Sequence, residues 1–291
     1  MNALATATTA TPDTATPDAT AAPTAGAATP APGTATTGTP APGTATAGTP
    51  APGTATAGTP APGTATTGGT APVRASLALR TKLAPTAPVL RAATAALWRP
   101  DGLRPRYVRY LAAMHPLVRA SVPLLLRAAE RCAERPDDPA ARLLAAYFLR
   151  HAEEERDHDV WLLDDLAAAG AGPAPVPHPV AVELAGAQYY RIEHEHPVAL
   201  LGYIAVLEGN APGPRLADHL AGATGLPGRA FRTLREHAAL DGGHLDDLYR
   251  VLDALAPGPA RQTAVAVSAL HTANLLTRLF LSLAEDPGGH R

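Results

Sequence analysis

Aromatic residues make up 4% of the 291 residues, and cysteine occurs once, at Cys132. A single thiol excludes an intrachain disulfide framework and points to a reducing compartment, so the expected location is cytoplasmic. No run approaches the roughly 18 uninterrupted apolar residues of a membrane helix, so no membrane partner is expected. Nor does one sign of charge dominate. The chain has 24 Lys and Arg against 26 Asp and Glu, and a neutral chain argues against a nucleic-acid partner, whose phosphates call for a basic surface. The first residues, MNALATATTA, have neither the basic nor the apolar region of a secretory leader.

Residues 1–73 lack even more. They hold no Lys, Arg or aromatic residue, and beyond Ala, Thr, Pro and Gly they contain only Met1, Asn2, Leu4, Val73, Asp13 and Asp18. Ordering each residue costs on the order of 1–2 kcal/mol of backbone entropy, and nothing here can be buried to offset it. A disordered tail is therefore expected over 1–73. A ten-residue unit, APGTAT(T/A)G plus two residues, occurs four times from Ala31 to Thr70. Without an apolar face such repeats do not stack into a solenoid, so they read as a flexible tether. A glycosylated stalk would need a secretory route.

With two Asp in the tail, 24 basic and 24 acidic side chains remain for residues 74–291, the expected folded domain. There Leu, Ala, Arg and Glu dominate, and apolar residues recur at three- and four-residue spacings. This predicts an all-α domain. Helices are expected at about Pro105–His115, Pro116–Arg135, Pro139–Ala169, Pro179–Glu193, Pro197–Gly209, Arg215–Ala223, Gly228–Leu255 and Ala260–Glu285. Asp138 before Pro139 marks a helix start, and Gly170, Gly209 and Gly225 mark ends.

The chemistry lies in a spacing that occurs twice. His151, Glu155 and His158 read H-x3-(D/E)-x2-H, and so do His237, Asp241 and His244. At about 100° per residue, positions i, i+4 and i+7 share one helix face. Two Glu-x-x-His-type pairs on two helices, with further carboxylates from others, are how carboxylate-bridged bundles hold two metal ions. Glu208, closing the apolar segment ALLGYIAVLEG, offers a third carboxylate, either exposed at a helix end or held inward by a metal. A fourth is not evident: His237 is a candidate for that place, as are Glu154, Glu130 and His151, which spacing does not rank. Three buried carboxylates repel one another and would protonate without cations. Mixed imidazole and carboxylate donors without thiolate suit iron or manganese.

Gly242 and Gly243 interrupt the second motif, each costing about 1 kcal/mol relative to Ala inside a helix. Close helix packing and a labile metal-ordered helix are the two readings. The run Glu193-His194-Glu195-His196 reads as a solvated junction, not a second metal site. Trp161, Tyr189, Tyr190 and Tyr203 are expected in the core. Arg119 and Arg191 are candidates to anchor a substrate carboxylate, though Arg is also the common surface cation.

The runs HAEEERDHDVWLLDDL (His151–Leu166), ALLGYIAVLEG (Ala199–Gly209) and HAALDGGHLDDL (His237–Leu248) resemble the iron-containing redox enzyme family, the haem-oxygenase-like di-iron oxidases and oxygenases. YLAAMHPLVRASVPLL (Tyr110–Leu125) extends the resemblance, which spans about Arg104–Ala254 in order. It implies a haem-oxygenase-like bundle of about seven helices without haem. In it Glu155, His158, Glu208, His237, Asp241 and His244 match metal-binding positions for two iron ions. Dioxygen and a small organic substrate would be the partners, often within natural-product pathways, with the electron donor unspecified and a homodimer open. Two rival expectations are an iron-binding protein without organic substrate and a metal-free, thiaminase-II-like bundle.

Overall fold

The computed structural model describes residues 73–172 and 176–285. The chain divides into two units, Met1–Thr66 and Thr67–Arg291. Apart from Val73, the expected tail and its repeats lie outside the described residues.

Among the described residues ten α-helices and no strand are found: α1 (Ala75–Leu83), α2 (Ala87–Leu97), α3 (Leu103–Ala133), α4 (Ala141–Glu154), α5 (His158–Ala168), α6 (Pro179–His194), α7 (Leu200–Glu208), α8 (Leu216–Thr224), α9 (Arg232–Leu255) and α10 (Pro259–Ala284). The all-α expectation holds, but the helices are cut differently. Helices α1 and α2 were not expected individually. Their stretch, TKLAPTAPVL, has two prolines at helix starts, which initiate helices instead of breaking them. The expected break at Pro116 is absent, because α3 runs through both Pro116 and Pro123. An interior proline costs about 3 kcal/mol, and burial of Leu111, Leu117, Leu124 and Leu125 along the same helix outweighs it.

The reverse correction applies to the expected helix Pro139–Ala169. It stops at Glu154 and restarts at His158, with Asp157 in the left-handed region at φ 64°. Aspartate tolerates that conformation better than most residues. Asp138 does act at the start of α4, its carboxylate accepting from the Ala140 N–H at 3.0 Å, but the helix begins two residues later than expected. Gly170 and Gly225 adopt positive φ at helix ends, as expected.

Helix α10 is long and apolar enough to cross a membrane by composition, yet more than half of its most apolar window is buried in the bundle. It packs on α1, α2, α6 and α7. At its crossing with α7, a Cβ on Gly202 would fall onto the Val265 carbonyl oxygen and the Ala269 nitrogen. Only glycine lets those two backbones approach so closely.

Candidate metal centre

Helices α4, α5, α7 and α9 carry the candidate ligands. The start of α9 is anchored by Asp165 of α5, fully buried, whose carboxylate accepts from the backbone N–H groups of Arg232 (3.1 Å) and Thr233 (2.9 Å). That N-terminal cap holds the two motif-bearing segments together. Sequence reading passed over Asp165, because a cap supplied from another helix, 67 residues away, leaves no local signal.

The two H-x3-(D/E)-x2-H segments meet in opposite directions. The His151 ring lies edge-on to His244 at 4.9 Å between centroids, and His158 lies edge-on to His237 at 5.1 Å. The ligand atoms form two groups, His151 with Glu155, Glu208 and His244, and Glu155 with His158 and His237, the atoms of each lying within 4.8 Å of one another. Glu155 belongs to both. The helix break right after it turns His158 toward His237 while His151 stays with α7 and the far end of the α9 motif.

Five of the six expected ligands are thus gathered into the two groups, and the sixth, Asp241, is buried beside them, its carboxyl sensing both Glu155 and Glu208. Glu208 points inward, resolving the alternative left open by its position at a helix end. His151, which spacing did not rank, joins the first group with Nε2 3.6 Å from Glu208 Oε1. Glu130 is excluded: it is exposed and paired with Arg127 at 2.9 Å. Glu154 stands at the rim, 3.3 Å from His151 Nδ1 and 3.7 Å from His244 Nε2. A carboxylate only accepts, and both ring nitrogens of His151 face one, Nδ1 toward Glu154 and Nε2 toward Glu208, so these contacts fix neither tautomer. His244 repeats the pattern with Nδ1 3.5 Å from Glu208 Oε2. His237 donates from Nδ1 to the Thr233 carbonyl at 2.9 Å, which leaves its Nε2 lone pair free. Outer partners of this kind fix the tautomer and orientation of metal-binding imidazoles.

Charge in the cluster is unbalanced. Burial, then the Glu208 and Glu155 charges, push the Asp241 carboxyl well above the usual carboxylate range. Burial also works against the Glu208 charge, but the neighbouring His151 and His244 imidazoles prevail and hold its carboxyl low. For Glu155, likewise, the neighbouring His158 imidazole leads the influences that overcome burial and hold it low. Four buried ligand atoms here lack a well-formed protein hydrogen bond: His158 Nδ1, Glu208 Oε2, Asp241 Oδ1 and His244 Nδ1. Two divalent cations would satisfy these lone pairs and neutralise the three carboxylates, so the residues fit a pair of metal ions.

A cavity of about 100 Å³ opens beside the cluster, with Glu155, Glu208, His237 and Asp241 on its polar side. Its opposite walls include Tyr110, Met114, Leu117, Leu276 and Phe280, and no Lys or Arg is among its lining residues. Arg119 is exposed and Arg191 is paired with Glu195 at 3.0 Å, so neither candidate anchor reaches it. The Glu193–His196 run is taken up by Arg127, Arg131, Arg191 and Asp138. Tyr203 is buried as expected, whereas Tyr189 and Tyr190 are exposed.

A family model described as iron-containing redox enzyme matches residues 108–277. The chain belongs to that family. As an iron-containing redox enzyme it also shares its fold with solved structures. One is a domain of unknown function with a haem oxygenase-like fold from Shewanella denitrificans, at 17% identity and TM-score 0.52 over 72% of this chain and 88% of that one. Another is a TenA homologue from Pseudomonas syringae pv. tomato, at 13% identity and TM-score 0.59 over 72% of this chain and 91% of that one. No curated protein matches the chain. The haem-oxygenase-like bundle implied by the sequence motifs is therefore the fold of this member of the family, with more helical segments than the seven expected.

Proposed function

We propose that the protein is a non-haem di-iron oxidase or oxygenase that uses dioxygen to oxidise a small organic substrate. The observation that carries this reading is Glu155, one carboxylate common to two groups of ligand atoms. Glu208, His244 and His151 would hold one ion, and His158 and His237 the other, with Asp241 beside them. Bound iron supplies the capacity to reduce dioxygen; manganese would suit the same donors.

The chain's own contributions follow from its geometry. Thr233 and Glu154 orient the imidazoles. The apolar walls exclude water and accept a substrate with an apolar body, and the absence of a cation among the lining residues disfavours one with an anionic far end. The cavity supports a substrate-oxidising enzyme over an iron store, and the three clustered carboxylates support a metal site over a metal-free, thiaminase-II-like bundle. We assign the activity to the cytoplasm, with reducing equivalents from a separate donor.

The test is anaerobic reconstitution of the full chain with Fe(II), followed by rapid mixing with oxygenated buffer. A transient visible absorption, lost in His244→Ala, supports the proposal. Iron oxidation with no transient and no effect of added organic substrates would favour storage.

A further inference from the structure

A second, smaller chamber lies behind the carboxylates. It measures about 20 Å³ and is lined by Ser121, His151, Glu155, Tyr203 and Glu208, with leucine and isoleucine side chains around them. Ser121, Glu155, Leu207 and Glu208 also border the larger cavity, so the two carboxylates stand between the chambers. Tyr203 is 3% exposed, and its hydroxyl has no protein hydrogen-bond partner. A buried water needs about 10–15 Å³ and two to four polar partners. The chamber offers that volume and a phenol, a hydroxyl, an imidazole and two carboxylates.

We propose that this chamber binds one ordered water, which accepts a hydrogen bond from Tyr203 and donates to the Glu155 and Glu208 carboxylates. Tyr203 is then a positioning residue for the metal centre: it fixes, through that water, the two carboxylates that face both chambers. A phenol buried with no partner would be a standing cost to the fold; one bound to water shared with Ser121 is not. The water site stands by itself, whereas the positioning role rests on the metal-site reading given above.

Tyr203→Phe keeps the ring and removes only the hydroxyl, so folding should persist. Thermal melts of the full chain in wild type, Tyr203→Phe, Ser121→Ala and the double variant test the water. Both single variants should lower Tm, and the double should lower it no further than the worse single, since each loses the same water. A Tm raised by Tyr203→Phe, or strictly additive losses, would overturn the site. Co(II) titration tests the positioning role. Tyr203→Phe should shift the cobalt visible bands and weaken affinity by about tenfold. Identical spectra and affinities would overturn that role. If wild type binds no cobalt, the metal reading fails, and the thermal cycle alone still decides the water site.

Discussion

His151 and Glu155 show how one residue's surroundings decide its role. Both lie in the first motif, but only Glu155 sits at the end of a helix turned away from its successor, so it alone reaches both groups. His237 belongs to the second group and His244 to the first. His237→Ala should therefore lower bound iron from about two ions per chain toward one, with the His244 group still loaded; elemental analysis after anaerobic reconstitution checks this. A second prediction concerns Asp138, which is half-buried, bound through both oxygens to Arg261 at 2.9 and 2.8 Å and 3.1 Å from His196. Burial opposes its charge, but the Arg261 hydrogen bond leads the interactions that hold the carboxyl below its usual value. A carboxyl lowered on folding stabilises the fold above its unfolded pKa of about 3.9, and that contribution is lost as pH falls through the folded value. Asp138→Asn should cost about 1–3 kcal/mol near neutrality, narrowing as the pH drops below about 4, in melts across that range.

Among the helices, glycines separate packing from lability. Gly202 lies where α7 and α10 touch backbone to backbone, whereas a Cβ on Gly242 or Gly243 would meet nothing within 4 Å. Close packing thus explains the first and not the other two. Gly202→Ala should destabilise by about 1–3 kcal/mol through overpacking, and Gly242→Ala should stabilise by about 0.5–1 kcal/mol in an open helical position; chemical denaturation checks both signs. The unpacked glycine pair lowers the helix propensity of the ligand-bearing part of α9, so if iron orders it, amides from His237 to His244 should exchange more slowly with iron than without. Equal protection would count against that ordering. Sequence periodicity located the α9 motif on one unbroken helix because its apolar residues recur at helical spacing through the motif. It missed the break in the first motif, because Asp157 carries no glycine or proline signal. It also cut α3 at Pro116, where burial along a long helix overrides the local cost.

For the whole molecule, the motif residues of the centre were legible because their chemistry is spaced regularly along two segments, and the family match bears out the resemblance they carried. What spacing did not show was the antiparallel meeting of those segments, which brings His151 to His244 and places Glu154 outside both. That arrangement depends on Asp165 anchoring α9 and on the turn at Asp157, contacts made only in three dimensions. The resulting cluster brings Glu155, Glu208 and Asp241 into a buried site whose clustered carboxylates fit metal cations. Electron paramagnetic resonance of the Mn(II)-reconstituted full chain tests this most directly. About two manganese ions per chain are expected, with an exchange-coupled signal that Glu155→Gln converts to that of isolated ions. A single uncoupled ion per chain, or none, would contradict it.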